Sequence, residues 1–278
     1  MRQKAYFSLA EAMDNVDSVY HINMRQQGIT ELSSQMERLV HLQYANLMKN
    51  SIDHIPPFVR NWKNIQVLLL RQNRLTTLPP EIGELKNLRE IDLDGNMIQA
   101  LPDAISNWRS LRTLDLSANK LTALPDAIGP LGNLRMLELE KNALASLPPA
   151  IGRLKNLELL MVGYNKLERL PAELGKLRRL QTLSAESNGI TELPAAIGKL
   201  GSLKALMLND NRLTALPESL AGLKNLELLA LSNNAITALP RNIAKLRRLR
   251  TLILTGNPIS PAEQERIRKA LPKADIRF

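Results

Sequence analysis

Residues 111–133 read LRTLDLSANKLTALPDAIGPLGN, and this stretch recurs in phase along most of the chain. Its asparagine, Asn119, has counterparts at steps of 23 residues without one insertion, at Asn50, Asn73, Asn96, Asn142, Asn165, Asn188, Asn211, Asn234 and Asn257. Gln27 takes this place one step earlier, which makes eleven copies. A fixed period of this length is typical of a solenoid, in which each coil packs only on its neighbours.

The apolar positions of the repeat predict its local structure. Leu114 and Leu116 alternate with polar residues, which predicts a short strand with one buried face. The next strand comes one repeat later, so successive copies predict parallel strands side by side, about 4.8 Å apart. No coil can bury its own leucines, and its neighbours must cover them.

The repeat pattern LxxLxLxxNxLxxLPxxIGxLxx resembles the leucine-rich repeat family. The 23-residue form with LPxxIGxLxx is similar to bacterial members and to plant intracellular Ras-group-related members, and the resemblance covers residues 19–259. It implies an α/β fold, a right-handed horseshoe solenoid. Such a solenoid has a parallel concave β-sheet and short helical or irregular convex segments.

Three regions are expected along the chain. Residues 1–18 form an N-terminal helical cap, residues 19–259 form the eleven repeats, and residues 260–278 form a C-terminal cap of a helix and a strand. Each predicted cap helix begins with a capping box, Ser8 to Glu11 and Ser260 to Glu263. Caps are expected because open solenoid ends would expose leucines and unpaired strand edges.

Two residue types of the repeat receive structural interpretations. Stacked asparagine amides, with two donors and an acceptor each, are expected to form a ladder that satisfies backbone groups. Glycines recur at one convex position, and we interpret them as sites of backbone freedom. They are Gly83, Gly129, Gly152, Gly175 and Gly198.

Composition excludes several kinds of chemistry. The chain has 54 leucines, 3% aromatic residues and no cysteine, so it has no disulfides, thiolate metal sites or cysteine nucleophile. The histidines, His21, His41 and His54, lie at separations that match no metal-binding spacing. The sequence also has no phosphate-binding loop or hydrolase motif. We therefore expect a protein that is not an enzyme and uses no cofactor or metal.

Hydropathy leaves the compartment open. No apolar stretch is long enough to span a membrane. The N-terminal stretch MRQKAYFSLAEAMDNVDSVY contains no signal-peptide core. A cytoplasmic protein and an exported bacterial protein both fit these observations.

The repeat frame assigns side chains to the concave face. Residues six, four and two positions before each asparagine are expected to point from the strands onto this face. Its first part is acidic and its second part apolar, and from Glu90 onward it holds no Lys or Arg. We expect a partner-binding surface at Glu90, Asp92, Asp94, Asp115, Glu138, Glu140, Leu159, Met161, Met207, Leu228 and Ile253.

Two properties of this face favour binding. Asp92, Asp115 and Glu138 share one strand position in successive coils, and mutual repulsion is expected to disfavour their charged forms. A contiguous exposed apolar surface commonly marks a binding site, and methionine suits adaptable contacts. A solvated sheet face with no partner remains an alternative for the acidic column.

Most of the basic residues behind the net charge of +10 lie away from the concave face. Positions 12, 10, 9 and 7 before each asparagine form a flank beside the strands. From Asn61 to Arg250 its 36 positions hold 18 Lys or Arg against three Glu. The densest groups on this basic flank are Lys176, Arg178 and Arg179, followed by Lys245, Arg247, Arg248 and Arg250.

These patterns predict non-catalytic protein recognition through the concave face. The expected partner is a protein or peptide with a basic and apolar surface, and we expect a monomer. The alternatives are polyanion binding along the basic flank, by a glycan, a lipid headgroup or nucleic acid, and a purely structural or surface-display role. Nucleic acid is the least favoured polyanion because no aromatic residues interleave with the cations.

Overall fold

The computed structural model describes residues 4–278, which form two compact units divided between Leu137 and Glu138. In the first unit the strands pair in parallel and in chain order. They are β1 (Ala5–Tyr6), β2 (His21–Asn23), β3 (Tyr44–Asn46), β4 (Val67–Leu69), β5 (Glu90–Asp92) and β6 (Thr113–Asp115). Strand β7 (Met136–Glu138) contains the boundary between the units.

The second unit repeats this arrangement. Its strands also pair in parallel and in chain order. They are β8 (Leu159–Met161), β9 (Thr182–Ser184), β10 (Ala205–Met207), β11 (Leu228–Ala230), β12 (Thr251–Ile253) and β13 (Asp275–Arg277). Register partners within the repeats stand one repeat apart in the sequence, as Ala205 and Leu228 do, so the repeat sets the pairing. The predicted solenoid with a parallel sheet is confirmed.

Short 3₁₀ turns return the chain between the strands. Extended prolines such as Pro79 (φ −70°, ψ 153°) precede most of them and end the previous extended segment. In the first unit they are Val16–Ser18, Ser34–Arg38, Pro57–Asn61, Pro80–Glu84, Asp103–Asn107 and Asp126–Ile128. In the second they are Pro149–Arg153, Ala172–Lys176, Ala195–Lys199, Glu218–Gly222 and Ile243–Lys245.

The core lies between the strands and the 3₁₀ turns. Each coil contributes a central strand residue such as Leu114 and a turn residue such as Ile128, both fully buried. Trp62 and Trp108 replace leucines of the repeat and are also fully buried. Each indole N–H donates to a carbonyl oxygen of the preceding coil, Trp108 to Ile82 at 2.8 Å. The polar atom of each large side chain is thereby satisfied.

The asparagine ladder satisfies backbone groups between coils. Asn96 Oδ1 accepts a hydrogen bond from the N–H of Leu75 at 3.0 Å. Its amide nitrogen donates to the carbonyl oxygens of Leu70 and Leu93, at 3.1 and 2.9 Å. The same bonds recur in other coils, for example at Asn234. Each ladder amide therefore joins its own coil to the preceding one.

The residue before each ladder asparagine adopts the left-handed backbone conformation. Only Gly95 and Gly256 among these residues are glycines. The others carry side chains at φ between 51° and 56°, and they are Lys49, Gln72, Ala118, Lys141, Tyr164, Ser187, Asp210 and Asn233. This conformation turns the chain out of the strand and into the ladder, at a local cost for residues with a Cβ.

The recurrence of the turn glycines has a different cause from the predicted one. Gly83, Gly152 and Gly175 do not have positive φ. A Cβ on each would lie 2.6 Å from a backbone oxygen in the next coil, that of Ala104 in the case of Gly83. Our interpretation of these three as sites of backbone freedom was therefore wrong. Glycine is needed there because adjacent turns pack closely.

Two α-helices lie outside the repeats. Helix α1 (Leu9–Met13) follows Ser8, whose hydroxyl accepts a hydrogen bond from the Glu11 N–H at 3.2 Å. Helix α2 (Pro261–Ala270) follows Ser260, which accepts from the Glu263 N–H at 3.3 Å. Glu263 also accepts from the Leu239 N–H at 2.9 Å, so α2 is fastened to the preceding coil.

Candidate functional site

The open face of the sheet is formed by the outer residues of each three-residue strand. In β5 the central residue Ile91 is fully buried, whereas Glu90 and Asp92 beside it are half-buried. This alternation places the side chains at the predicted positions on one face. We use "open face" for the positions six, four and two residues before each ladder asparagine.

In the first unit the open face carries an acidic patch. Asp92 and Asp115 are register partners on β5 and β6, as are Glu90 and Thr113. On its other side Asp92 is paired in register with Leu69 of β4. The two aspartates are therefore brought together as the sequence predicts.

Both aspartates also support the backbone. Asp92 Oδ1 accepts a hydrogen bond from the N–H of Asp94 at 3.0 Å, and Asp115 Oδ1 accepts from Ser117 at 2.9 Å. Asn46 makes the same bond to Met48 at 3.2 Å in an earlier coil. An acceptor at this position thus stabilises the turn that follows the strand, and only the negative charge is free for another role.

Burial raises the pKa of Asp92 to about 6, because desolvation disfavours its charged form. The hydrogen bond from the Asp94 N–H opposes this shift, and the charge of Asp115 adds to it. Arg71 lowers the pKa and Asp94 raises it by smaller amounts. The predicted repulsion contributes to the shift, but burial is the larger cause.

Arg71 is a residue of this surface that the sequence analysis missed. Its Nε lies 2.9 Å from Asp94 Oδ2. The Arg71 side chain is 45% exposed and the Asp94 side chain 14% exposed, so an internal cation already neutralises this largely buried acidic side chain. The signal was present, because Arg71 stands one repeat before Asp94.

In the second unit the open face carries Glu138 and Glu140, both half-buried, followed by an apolar strip. The register of β8 to β12 forms the strip as Met161, Ser184, Met207, Ala230 and Ile253. The large members are half-buried, whereas Ser184 and Ala230 are 1% and 3% exposed. The two small residues are therefore buried. The large apolar side chains are only partly exposed, although the sequence predicts that they face solvent. Leu159 and Leu228, on the neighbouring column, are half-buried as well.

Ser184 has an unusual environment in this strip. Its hydroxyl oxygen is buried and has no hydrogen-bond partner among residues 4–278. Buried hydroxyl groups are normally paired, because an unpaired one loses its hydrogen bonds to water. The register places it between the two methionines, Met161 and Met207.

In the second unit, every predicted cation of the basic flank is exposed. Several of its side chains bond to the protein itself. Arg178 donates to the Lys199 carbonyl oxygen at 2.6 Å, and Arg179 donates to Asn156 Oδ1 at 2.7 Å. Arg248 donates to Asn225 Oδ1 at 2.9 Å. Lys176, Lys245, Arg247 and Arg250 complete the predicted set.

The part of the chain that the structure describes contains no group of three or more His, Asp or Glu side chains suited to a metal ion. His21 and Tyr44 instead form an edge-to-face ring contact, with centroids 5.7 Å apart. None of the helices within residues 4–278 is long and apolar enough to cross a bilayer.

Three family models match the chain. A leucine-rich repeat region model matches residues 21–120, and a leucine rich repeat model matches residues 132–190 and 198–259. A third model, also described as a leucine rich repeat, matches residues 110–131. No curated protein resembles the chain closely enough to count as a relative.

Solved structures share the fold. A TDR receptor is 28% identical with a TM-score of 0.70, over 92% of this chain and 51% of that one. An internalin from Listeria monocytogenes is 20% identical with a TM-score of 0.72, over 96% and 82%. A plant peptide hormone receptor, RGFR1 in complex with RGF2, is 24% identical with a TM-score of 0.70, over 91% and 46%. The chain thus spans about half the length of each of these two receptor chains.

Proposed function

Because the chain belongs to the leucine-rich repeat family, we propose that it is a non-catalytic scaffold that recognises a protein or peptide through the open face of its sheet. The observation that carries this proposal is the side-by-side placement of Asp92 and Asp115 on that face. Two carboxylates at this spacing, one of them with a raised pKa, are stabilised by a cationic ligand.

The apolar strip supports the second half of the proposal. Met161, Met207 and Ile253 present flexible or branched apolar side chains to the open face of the second unit. Such groups suit contact with apolar side chains of a partner, since methionine adapts to irregular surfaces. The expected partner is therefore a protein or peptide with basic and apolar residues. A plant peptide hormone receptor of the same fold was solved in complex with RGF2, so the fold is compatible with this use.

The two patches are expected to act on different rate constants. Charge complementarity mainly raises the association rate, whereas buried apolar contacts mainly lower the dissociation rate. Asp92→Lys with Asp115→Lys should therefore slow association and weaken its salt dependence. Met161→Ser with Met207→Ser should instead speed dissociation.

The experiment is a selection from a displayed library of random peptides with the full chain as bait. Enriched peptides are expected to combine Lys or Arg with apolar residues, and their binding is expected to weaken in both double variants. A matched control changes Glu81 and Glu84 to Lys, two carboxylates on a 3₁₀ turn away from the open face. Selected peptides that bind the folded open-face variants as tightly as the wild type would show that the open face is not the binding surface.

The same proposal gives the end segments a capping role. Residues 4–18 would cover the first coil and residues 260–278 the last, while residues 1–3 of the predicted N-terminal cap lie outside the described residues. Helix α2 supports this role because Ile267 is fully buried and Arg266 Nη2 donates to the Leu239 carbonyl oxygen at 2.7 Å. A monomer remains part of the proposal, tested by the molar mass in light scattering.

A further inference from the structure

Cations from two coils of the second unit surround a hollow on the basic flank. The hollow has a volume of about 540 Å³ and is lined by Ala221, Lys224, Lys245, Arg247 and Arg248. We name the four cations the end cluster. All four cations of the end cluster are exposed. A cavity of this size lies within the range of small-molecule sites.

The end cluster contains no internal counter-ion. Within residues 4–278, no carboxylate forms an ion pair with Lys224, Lys245, Arg247 or Arg248. A second hollow shares Arg247 and Arg248 and adds Arg250, Lys273 and Glu227. Glu227 is the one acidic residue in its lining, and its Oε2 lies 3.9 Å from Arg250 Nε. The backbone of adjacent coils therefore holds like charges together, and a bound anion would relieve their repulsion.

A related set of cations lies three coils earlier, and its side chains are bonded differently. Lys155, Lys176 and Arg178 stand three repeats before Lys224, Lys245 and Arg247, and with Lys199 they line a hollow of about 400 Å³. There Lys155 Nζ donates to the Gly152 carbonyl oxygen at 2.8 Å, and Arg178 Nη1 donates to that of Lys199 at 2.6 Å. Within residues 4–278, the side chains of Lys224 and Arg247 donate no hydrogen bond to a backbone carbonyl oxygen. Their donors are therefore available to a ligand.

The chemistry of the end cluster indicates the ligand class. Arginine presents a planar fork of donors that matches phosphate oxygens, and lysine adds point charges. Four cations around one compact hollow exceed the charge of a single phosphate. The lining contains no aromatic side chain on which a base could stack, which disfavours single-stranded nucleic acid.

We infer that the end cluster binds a compact oligophosphate, a molecule or headgroup that carries two or more phosphate groups. This site is independent of the open face. Its ligand contacts the flank through Lys224, Lys245, Arg247 and Arg248 and requires no residue of the acidic patch or the apolar strip.

Titration calorimetry of the full chain with tripolyphosphate tests the inference, at physiological ionic strength and with inorganic phosphate as the comparison ligand. Lys224→Ala with Arg247→Ala is expected to weaken tripolyphosphate binding about tenfold or more, because charge-assisted hydrogen bonds are lost. Lys155→Ala with Arg178→Ala removes the same charges from the same repeat positions and is expected to weaken it about twofold at most. All four residues are exposed, so both variants should fold, as circular dichroism would verify.

Equal weakening by the two double variants would overturn the inference, since it would show a diffuse field and no discrete site. Wild-type binding of tripolyphosphate no tighter than that of inorganic phosphate would also overturn it. A duplex oligonucleotide that binds more tightly than tripolyphosphate and loses affinity equally in both variants would favour a polyelectrolyte surface and reject the proposed site.

A sedimentation arm distinguishes the source of the phosphates. Phosphatidylcholine vesicles are prepared with and without a bisphosphorylated phosphatidylinositol. Sedimentation that needs this lipid and is lost in Lys224→Ala with Arg247→Ala identifies a headgroup as the ligand. Tripolyphosphate binding without vesicle binding identifies a soluble oligophosphate, and both results support the inference.

Discussion

Asp92 and Asp115 are register partners on adjacent parallel strands, so the open face of the first unit holds two carboxylates side by side. The first of them is the more perturbed, because burial raises the pKa of Asp92 to about 6. In an unfolded chain the pKa of an aspartate is about 3.9. The sheet therefore stores an unfavourable charge at neutral pH, and its effect can be measured.

Asp92→Asn is expected to stabilise the protein at neutral pH. The native state resists ionisation of Asp92, so the penalty is fully present above the folded pKa of about 6. Between pH 6 and about 4 the native state binds a proton that the unfolded state does not, and stability rises as the pH falls. The variant should gain about 1 kcal/mol at pH 7.5, after discounting for solvent screening of the half-exposed group, and should lose this pH dependence.

Urea denaturation between pH 4 and pH 7.5 measures this effect. Asparagine keeps the acceptor for the Asp94 N–H, as Asn46 does at its own position, so the turn is preserved. Asp103→Asn, on an exposed 3₁₀ turn, is the control and should change stability little. If Asp92→Asn were no more stable than the wild type at pH 7.5, burial would not disfavour the charge.

Asn96→Ala is expected to cost about 1–3 kcal/mol of unfolding free energy, because it leaves buried backbone groups without partners. The side chain is 6% exposed and bonds to the N–H of Leu75 and the carbonyl oxygens of Leu70 and Leu93. Asn87→Ala is the matched control, since this exposed asparagine makes one bond, to the Lys63 carbonyl oxygen at 2.8 Å. Similar denaturation midpoints for the two variants would contradict the ladder.

Ala118→Gly is expected to stabilise the protein by about 0.5 kcal/mol. Ala118 has φ of 51°, and a left-handed conformation costs a residue with a Cβ roughly 1–2 kcal/mol. The greater flexibility of glycine in the unfolded chain removes about 0.5–1 kcal/mol of this gain. Ala100 does not have positive φ, so Ala100→Gly relieves no strain and only adds flexibility to the unfolded chain. This variant should therefore destabilise the protein. Thermal unfolding of both variants checks the opposite signs, and two losses would argue against strain at Ala118.

Ser184→Ala is expected to stabilise the second unit by about 0.5–1 kcal/mol, because it removes a buried hydroxyl group without a partner. The reciprocal control is Ala230→Ser, two coils later in the same strip and 3% exposed. It should lose a similar amount. Denaturation curves in which Ser184→Ala is the less stable variant would show that the hydroxyl is satisfied.

Much of the fold was predictable because the repeat phase fixes both strand pairing and burial. The spacing of Leu114 and Leu116 locates β6, and the unbroken period of the repeat gives the observed register. Gly95, Asp210, Asn233 and Gly256 are of residue types that commonly adopt the left-handed conformation. The remaining coils have no such residue before the asparagine, so these positions were missed. In the other coils the ladder and the adjacent strand impose it, and local sequence preference is overridden.

The candidate site was less predictable, because the repeat pattern gives the strand position of each side chain but not its burial or its ion-pair partners. The sequence places Asp92 beside Asp115, but the larger contribution of burial to the raised pKa depends on the folded environment. The pairing of Arg71 with Asp94 was missed because the predicted surface begins at Glu90, and Arg71 belongs to the coil before it. The partner role of the open-face residues remains a prediction.

The asparagine ladder makes length a modular property of this protein. Asn234 bonds to backbone atoms 21 and 26 residues before it and to an atom three residues before it. If residues 189–211 were deleted, Asn234 would keep its bond to the Leu213 N–H. The carbonyl oxygen of Ala185 would then replace the carbonyl oxygen of Leu208 as its second partner. Every amide would again find an equivalent partner, whereas removal of a single residue would put all later coils out of phase. A chain with this ladder can change its reach only in whole coils, and each such change preserves the chemistry of the coils that remain.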